Sequence, residues 1–507
     1  MEATLDRRRG DPLMQRFCST IGSASMLLAG YFLLNILLRA ALPHSLELDE
    51  AEQTFYAQYL LAGYGPQPPF YNWMQYAVDA VAGPSIWALS IPKNVLLFLC
   101  YLFYGLAARE MLKDRTLQAA AMLALITLPQ VSYMAQQDLT HTVALLFATS
   151  LFLFGFFRTL ERPSLLSYLI LGIATGVGII AKYNFALMPL IAVAAVIPDR
   201  EWRQRLLDWR ILPAFAIALA ITLPHLHWLY GNVDLASHGT LSKMIDSREA
   251  SDLFPAGKGL LSLLIAIIAF AALPIAIFAA AFRRDFVHAL SAGDGWTRLM
   301  ERMIVISLIA VVAVILVTGA THIRERWLDP FLLILPIYIF RKLEVAGADL
   351  SLGLKRFLNV VPVLMALVLI ALAARVTGAE FIGSYTKLNV PFADFAKAMT
   401  DKRQPPALII ASDRYVGGNL RLQLPDVPVI ISGFPNPGIA MNAAAARPIL
   451  VAWRGPNPKE APMPPEISTW LKQNGLEPDA IGSLALPYHF GKSGDTYALG
   501  FAWLERK

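Results

Sequence analysis

Charge is what this chain has least of. Only 16% of its 507 residues are Asp, Glu, Lys or Arg, while 56% are hydrophobic. A soluble protein of this length would carry roughly 25% charged residues. The composition therefore excludes an ordinary soluble enzyme and points to a polytopic membrane protein with a small soluble part. Cysteine is nearly absent. Cys18 and Cys100, the two present, lie in or beside the first two apolar segments, with no spacing suited to a disulfide framework or a metal site. No internal repeat is visible, and the C-terminal region lacks a Gly-rich phosphate loop. A net charge of +6 could suggest nucleic acid. Much of the Lys and Arg, however, sits in short connections between apolar runs, the pattern of membrane topology. No nucleic-acid partner is expected.

A bilayer span needs roughly 20 apolar residues. About eleven candidates stand out, near 22–42, 85–108, 117–135, 139–158, 164–181, 183–198, 211–230, 259–282, 303–320, 327–341 and 357–376. The first follows a basic stretch, Arg7–Gly10, and shows no cleavage site, so it reads as an uncleaved span. The fifth and sixth are nearly fused at Lys182-Tyr183-Asn184, as in a bent hairpin. With a cytoplasmic N-terminus, cations in inner connections outnumber those at outer ends roughly three to one. The outer set is Lys93, Lys182, Lys243, Arg248, Lys258, Arg324 and Arg326. An odd span count then puts the C-terminus outside, in a multi-pass protein of the bacterial inner membrane.

The tail reads differently. Val390–Met399 predicts an amphipathic helix, while Ala407–Ala411, Val427–Ile431 and Pro448–Trp453 predict buried strands. Gly455–Pro465 predicts a loop and Pro464–Gly475 a helix. The expected fold class is thus a polytopic α-helical membrane domain over 1–377, with surface helices in its first outer loop. A small periplasmic α/β domain is expected over 378–507.

Five clusters could carry chemistry, and all fall at outer helix ends. Asp49-Glu50, with Glu47 and Glu52 nearby, follows the first span. On a helix starting near Asp49, that residue serves as the N-cap, as a general base, or as a ligand for a divalent cation with Glu50. Next comes Gly65-Pro66-Gln67-Pro68-Pro69-Phe70-Tyr71-Asn72-Trp73. Prolines there fix an extended loop that presents Gln67, while Tyr71, Asn72 and Trp73 suit a sugar face or the lipid interface. Asp138, after Gln136-Gln137, is an outer acid or the N-cap of the fourth span, with His141 one turn on. Lys182, with Tyr183 and Asn184, is an outer cation after the glycines Gly172, Gly176 and Gly178. Finally, His322-Ile323-Arg324-Glu325-Arg326-Trp327 places two guanidiniums beside the bilayer. Planar forks of this kind bind phosphate oxygens bidentately. His225 and His227 close the seventh span with no role assigned.

The combination of LELDEAEQTFYAQYLLAGYGPQPPFYNW (46–73), QQD (136–138), GVGIIAKYNF (176–185) and HIRERWLDPF (322–331) resembles integral-membrane glycosyltransferases of the GT-C fold, families 39 and 83. Those families include protein O-mannosyltransferases and the aminoarabinose transferase of lipid A. The PQPPxYNW form is similar to rhizobial lipopolysaccharide galacturonosyltransferases. The resemblance covers most of 20–345. It implies a polyprenyl-phosphate sugar donor, inverting transfer, and a catalytic Asp that matches Asp49, followed by Glu50. The family's second outer acid matches Asp138, and its Lys matches Lys182, with Tyr183 in place of the usual Gly. Aminoarabinose transferases carry Glu-Lys-Pro-Pro where this chain has Pro66-Gln67-Pro68-Pro69. The metal-capable acid and its Lys are gone, which leaves dependence on a divalent cation open and implies a different sugar.

The expected reaction moves a sugar from its polyprenyl-phosphate carrier to an envelope acceptor on the periplasmic face. Lipid A, lipopolysaccharide core or another glycan would serve as acceptor, within a setting of membrane lipids. Asp49 acts as base; Arg324, Arg326 and Lys182 meet the charge of the departing phosphate; His322 and Tyr183 join the substrate-binding set. The alternatives are a protein O-glycosyltransferase, a transporter or flippase of a lipid-linked sugar, and a membrane-anchored binding protein. A transporter would carry inverted repeats and ionisable groups at the midplane, and the sequence shows neither.

Overall fold

The structure, a computed structural model, describes residues 18–236, 255–347, 349–401, 403–432, 434, 447–455, 457 and 459–504. The basic stretch Arg7–Gly10 and the cations Lys243 and Arg248 lie outside the described residues. Along the chain, α1 (Ile21–Ala41) leads through two short helices, α2 (Leu48–Tyr56) and α3 (Phe70–Ala82), into α4 (Ile86–Arg109). A bent pair, Arg115–Thr127 and Gln130–Gln137, precedes α5 (Thr140–Glu161), α6 (Leu165–Ala181), α7 (Leu187–Val196) and α8 (Ile211–Gly231). Then come α9 (Pro255–Phe282), α10 (Gly295–Thr318), α11 (Leu335–Val345) and α12 (Ser351–Thr377).

Among the described residues, seven helices are long and apolar enough to cross a membrane: α1, α4, α5, α8, α9, α10 and α12. The bent pair, turned by 73°, makes eight if taken as one span. The expected count of eleven is not confirmed. The helices α6, α7 and α11 are also apolar but have 17, 10 and 11 residues, at or below the lower limit of roughly 17 residues for a span.

The chain divides into two compact units. One comprises the chain up to Leu33, Ala62–Phe70 and Val95–Val368; the other comprises Leu34–Leu61, Tyr71–Asn94 and the chain from Leu369 onward. In the first, the glycines of α6 have a packing role. A Cβ on Gly172 would lie 2.4 Å from the Ala214 carbonyl oxygen, and one on Gly176 would lie 2.9 Å from Ile221 Cβ. Their four-residue spacing makes a smooth stripe that lets α6 press against α8, the small-residue contact of membrane helices.

In the second unit a five-stranded sheet runs in the order β2-β1-β3-β5-β4. The strands are β1 (Leu408–Ala411), β2 (Val429–Ile431), β3 (Ile449–Arg454), β4 (Ala480–Pro487) and β5 (Thr496–Leu504). β1 pairs in parallel with β2 and β3, while β5 runs antiparallel to β3 and to β4. Three helices accompany them: α13 (Phe392–Thr400), α14 (Arg414–Gln423) and α15 (Pro465–Gln473). Ile410, Val451, Trp453, Ile467 and Leu471 share one buried cluster. All three predicted strands and both predicted helices of the tail are present. The helix α14 escaped detection because Gly417 and Gly418 interrupt it and lower its intrinsic propensity. Asp413 compensates by capping α14, accepting from the Val416 amide at 2.9 Å.

Candidate functional site

The acid helix α2 is capped two residues earlier than the sequence suggested. Glu47, rather than Asp49, is the N-cap, in a reciprocal capping box with Glu50. Asp49 is thereby left in the first turn, half-buried and not committed as a cap. Glu50 points the other way. Its side chain is 4% exposed and receives two bonds from Arg39, at 3.2 and 2.9 Å. Burial pushes the Glu50 carboxyl up, but Arg39 and Lys93 outweigh it and hold the group below the ordinary range. Glu47 is paired in the same manner with Arg375. Both arginines sit in the last turns of apolar helices, where the sequence count of outer cations overlooked them. An Arg in the final turn of a span, with acids just beyond, is the signal that would have found the first pair.

Removing one partner of a buried ion pair strands the other. Arg39→Met is therefore expected to destabilise this unit by about 3 kcal/mol. Thermal unfolding of the purified protein checks this, and an unchanged midpoint would show that Arg39 does not anchor Glu50.

Two further elements grip α2. Asn72, on α3, donates to Gln53 at 3.0 Å and is buried, as is Tyr71 beside it. Trp73 donates through Nε1 to the Leu61 carbonyl at 2.7 Å. The predicted loop therefore ends at Pro69, and Phe70 opens a helix. From the tail, α14 lies directly on α2. A Cβ on Gly418 would fall 2.0 Å from the Ala51 carbonyl oxygen, so the two backbones touch. Asn419 accepts from the Leu46 amide at 2.8 Å, and Arg421 reaches the Thr54 carbonyl and, at 3.6 Å, Asp79. Sequence reasoning assigned none of these three residues a role.

The other compact unit holds a cavity of about 390 Å³, lined by Pro66, Gln67, Lys182, Tyr183, Trp327 and Phe331 among others. Helix α6 stops at Ala181, and Lys182 turns extended before a short 3₁₀ turn, Tyr183–Ala186. Gly178 permits this fold-back, since a Cβ there would meet the Phe185 ring at 2.1 Å. Lys182 donates to Thr142 Oγ1 at 2.9 Å. The Tyr183 hydroxyl meets His225 Nε2 at 3.1 Å, while His225 Nδ1 lies 2.8 Å from the Ala62 carbonyl. The backbone contact fixes Nδ1 as the donor, so Tyr183 donates to Nε2. His225, left without a role by the sequence, thus orients Tyr183. Asn184 ties the turn to the Trp327 carbonyl at 3.0 Å.

The structure therefore brings Gln67, Lys182 and Tyr183 to one cavity. Arg324 and His322 are exposed and Arg326 half-buried in the neighbouring loop, outside the cavity lining. Asp138 is half-buried, but the N-cap of α5 falls on Leu139, whose φ is 63°. A further residue was missed in the wall of this cavity. Asp329, between the lining residues Leu328 and Phe331, is fully buried, and neither carboxylate oxygen has a hydrogen-bond partner among the described residues. Lys182 and Arg326 are the cations acting on it. Leaving such an acceptor unsatisfied is costly, which marks this wall as more than packing.

Comparison with known proteins places these features. The chain is 62% identical, over 97% of its length and 99% of the relative's, to the lipopolysaccharide core galacturonosyltransferase RgtA of Rhizobium johnstonii. It belongs to that family of GT-C membrane glycosyltransferases. A second relative, the lipopolysaccharide core galacturonosyltransferase RgtB of the same organism, is 46% identical over 95% and 97% of the two chains. The profile of the dolichyl-phosphate-mannose-protein mannosyltransferase family matches residues 66–228 of this glycosyltransferase. Its fold is shared with ArnT from Cupriavidus metallidurans, solved bound to undecaprenyl phosphate. The TM-score is 0.60 at 14% identity, covering 94% of this chain and 97% of ArnT.

Proposed function

We propose that this glycosyltransferase transfers a galacturonosyl residue, with inversion, from a polyprenyl-phosphate carrier to the lipopolysaccharide core. The full-length 62% identity to a lipopolysaccharide core galacturonosyltransferase carries the reading. The reaction runs on the periplasmic face of the inner membrane, with the N-terminus cytoplasmic. Asp49 takes the proton from an acceptor hydroxyl as that oxygen bonds to the anomeric carbon. The bond from that carbon to the phosphate oxygen breaks, and polyprenyl phosphate leaves with the electron pair. Lys182, Arg324 and Arg326 meet the charge of the leaving phosphate, Asp138 assists from the second outer acid position, and Gln67, Tyr183 and His322 contact the sugar. The apolar wall of the Lys182 cavity suits an isoprenoid chain. Glu50, Tyr71, Asn72 and Trp73 hold the acid helix in place.

A resident divalent cation does not fit the residues present. Glu50, the carboxylate next to Asp49, is committed to Arg39, and no group of three or more His, Cys, Asp or Glu gathers among the described residues.

Mass spectrometry of envelope glycolipids from cells with and without the protein tests the proposal. One uronic acid should vanish from the core on its loss. An unchanged core, or loss of a neutral hexose, would overturn it. Lys182→Met should raise the apparent KM for the lipid donor roughly tenfold or more, the scale of one charge-assisted hydrogen bond. An unchanged donor KM in steady-state assays would remove Lys182 from the phosphate site.

A further inference from the structure

A second cluster lies in the sheet-bearing unit, assembled around one ring. Tyr415, in the first turn of α14, is 4% exposed. Lys387 Nζ sits 5.3 Å from its ring centroid and Arg454 Cζ 5.5 Å from the same centroid. The Tyr415 hydroxyl donates to the Lys387 carbonyl at 3.2 Å, fixing the ring under both cations. Arg454 is bonded to Asp413 at 2.8 and 2.9 Å, and the same Asp413 caps α14. Lys387 has no carboxylate in ion-pair contact among the described residues. Burial and the neighbouring Arg454 depress its pKa, with Asp413 opposing. Two cations held against one committed carboxylate are electrostatically uncomfortable, and an incoming anion relieves that.

The cluster continues towards the acid helix. Arg414, next to Asp413, lies 5.2 Å over the Tyr56 ring and 3.8 Å from Glu52. Glu52 and Tyr56 follow Asp49 by three and seven positions, on one face of α2. The opposite flank is aromatic. Tyr497 bonds to Arg454 and meets Tyr488 edge-on at 5.7 Å, and Tyr488 stacks on Tyr385 at 4.0 Å. Guanidinium and ammonium groups bind carboxylates, while rings offer apolar faces to sugar C–H groups. A phosphate head group would use the cations and leave the rings idle.

We propose that Lys387, Arg454 and Arg414 form a subsite for an acidic oligosaccharide, the carboxylate-bearing part of the acceptor glycan, and lead it along α14 to Asp49. The proposal rests on the glycosyl-transfer reading above and names how the acceptor is held. Lys387 is the member to remove, because it caps no helix and holds no ion pair among the described residues.

The experiment uses the full-length protein in detergent and has two arms. In the first, binding of trigalacturonate and of its carboxyl-reduced counterpart is measured by saturation-transfer NMR. The acid form should bind to the wild type, weaken as salt rises, and lose about tenfold in affinity in Lys387→Gln, with Lys387→Arg restoring most of it. In the second arm, Lys387→Gln should raise the KM for the glycan acceptor while the KM for the lipid donor stays put. Equal binding of the neutral trisaccharide, an unaltered acceptor KM, or displacement of trigalacturonate by inorganic phosphate at matched ionic strength would each overturn the subsite. The binding arm needs no turnover. Trigalacturonate bound through Lys387 by a protein that transfers no sugar would refute the catalytic reading and leave the subsite standing.

Discussion

Asp49→Asn is expected to lower turnover by about 10³-fold, within the range set by loss of a positioned general base. The amide is nearly isosteric and cannot take the acceptor proton. The fold should tolerate it, because the N-cap of α2 is Glu47 and the buried anchor is Glu50, bonded twice to Arg39. Asp49 stands between those two fixed acids in the half-buried first turn of α2. Donor binding should be unaffected, since the phosphate-binding role is proposed for Lys182, Arg324 and Arg326. The decisive measurement is single-turnover transfer from a purified lipid-linked sugar, with donor affinity followed in parallel. A folded Asp49→Asn protein that turns over like the wild type would end the assignment of Asp49 as base.

The parts of this arrangement legible in the sequence are those written in local pattern. Alternating acids after a first span marked α2, short apolar runs marked β1 to β3, and Lys182 was placed at a bend by the residues around it. What stayed hidden depended on partners distant along the chain. Glu50 reads as a second catalytic carboxylate until Arg39 is seen to hold it. Asn72 and Tyr71 read as loop residues facing a substrate until α3 buries them. The pair Gly417-Gly418 drew no reading from the sequence, whereas Gly418 is the contact surface of α14. The span count, too, depends on more than composition. The helices α6 and α7 are as apolar as the longer helices, but hydropathy does not register the turn at Tyr183–Ala186 between them. Asp329 gave no warning, since a single acid in the run Trp327–Leu333 looks like any interfacial residue.

The second large effect is expected at Gly418. Because a Cβ there would fall 2.0 Å from the Ala51 oxygen and 2.6 Å from the Ala51 carbon, any side chain meets backbone rather than a movable side chain. Helix α14 cannot retreat freely, being held by Asn419 to Leu46 and by Arg421 to Thr54 and Asp79. The displacement must therefore pass into α2, two residues from Asp49. A shift of about 1 Å in a catalytic group costs on the order of 10²-fold in rate, so Gly418→Leu should reduce turnover at least that far, with Gly418→Ala between it and the wild type. Gly417→Ala is the control. Its Cβ would meet side chains rather than backbone, Val429 and Ala411 at 3.2 and 3.3 Å and Phe55 of α2 at an ordinary 3.6 Å, and it raises helix propensity by the same amount. Near-ultraviolet dichroism from the buried Trp453 and Trp503 reports whether the sheet domain is intact, and binding of polyprenyl phosphate reports on the other unit. Slow turnover with both signals preserved would show that the C-terminal domain sets the position of the Asp49 carboxylate. Wild-type turnover in Gly418→Leu would show instead that α2 keeps its place without α14.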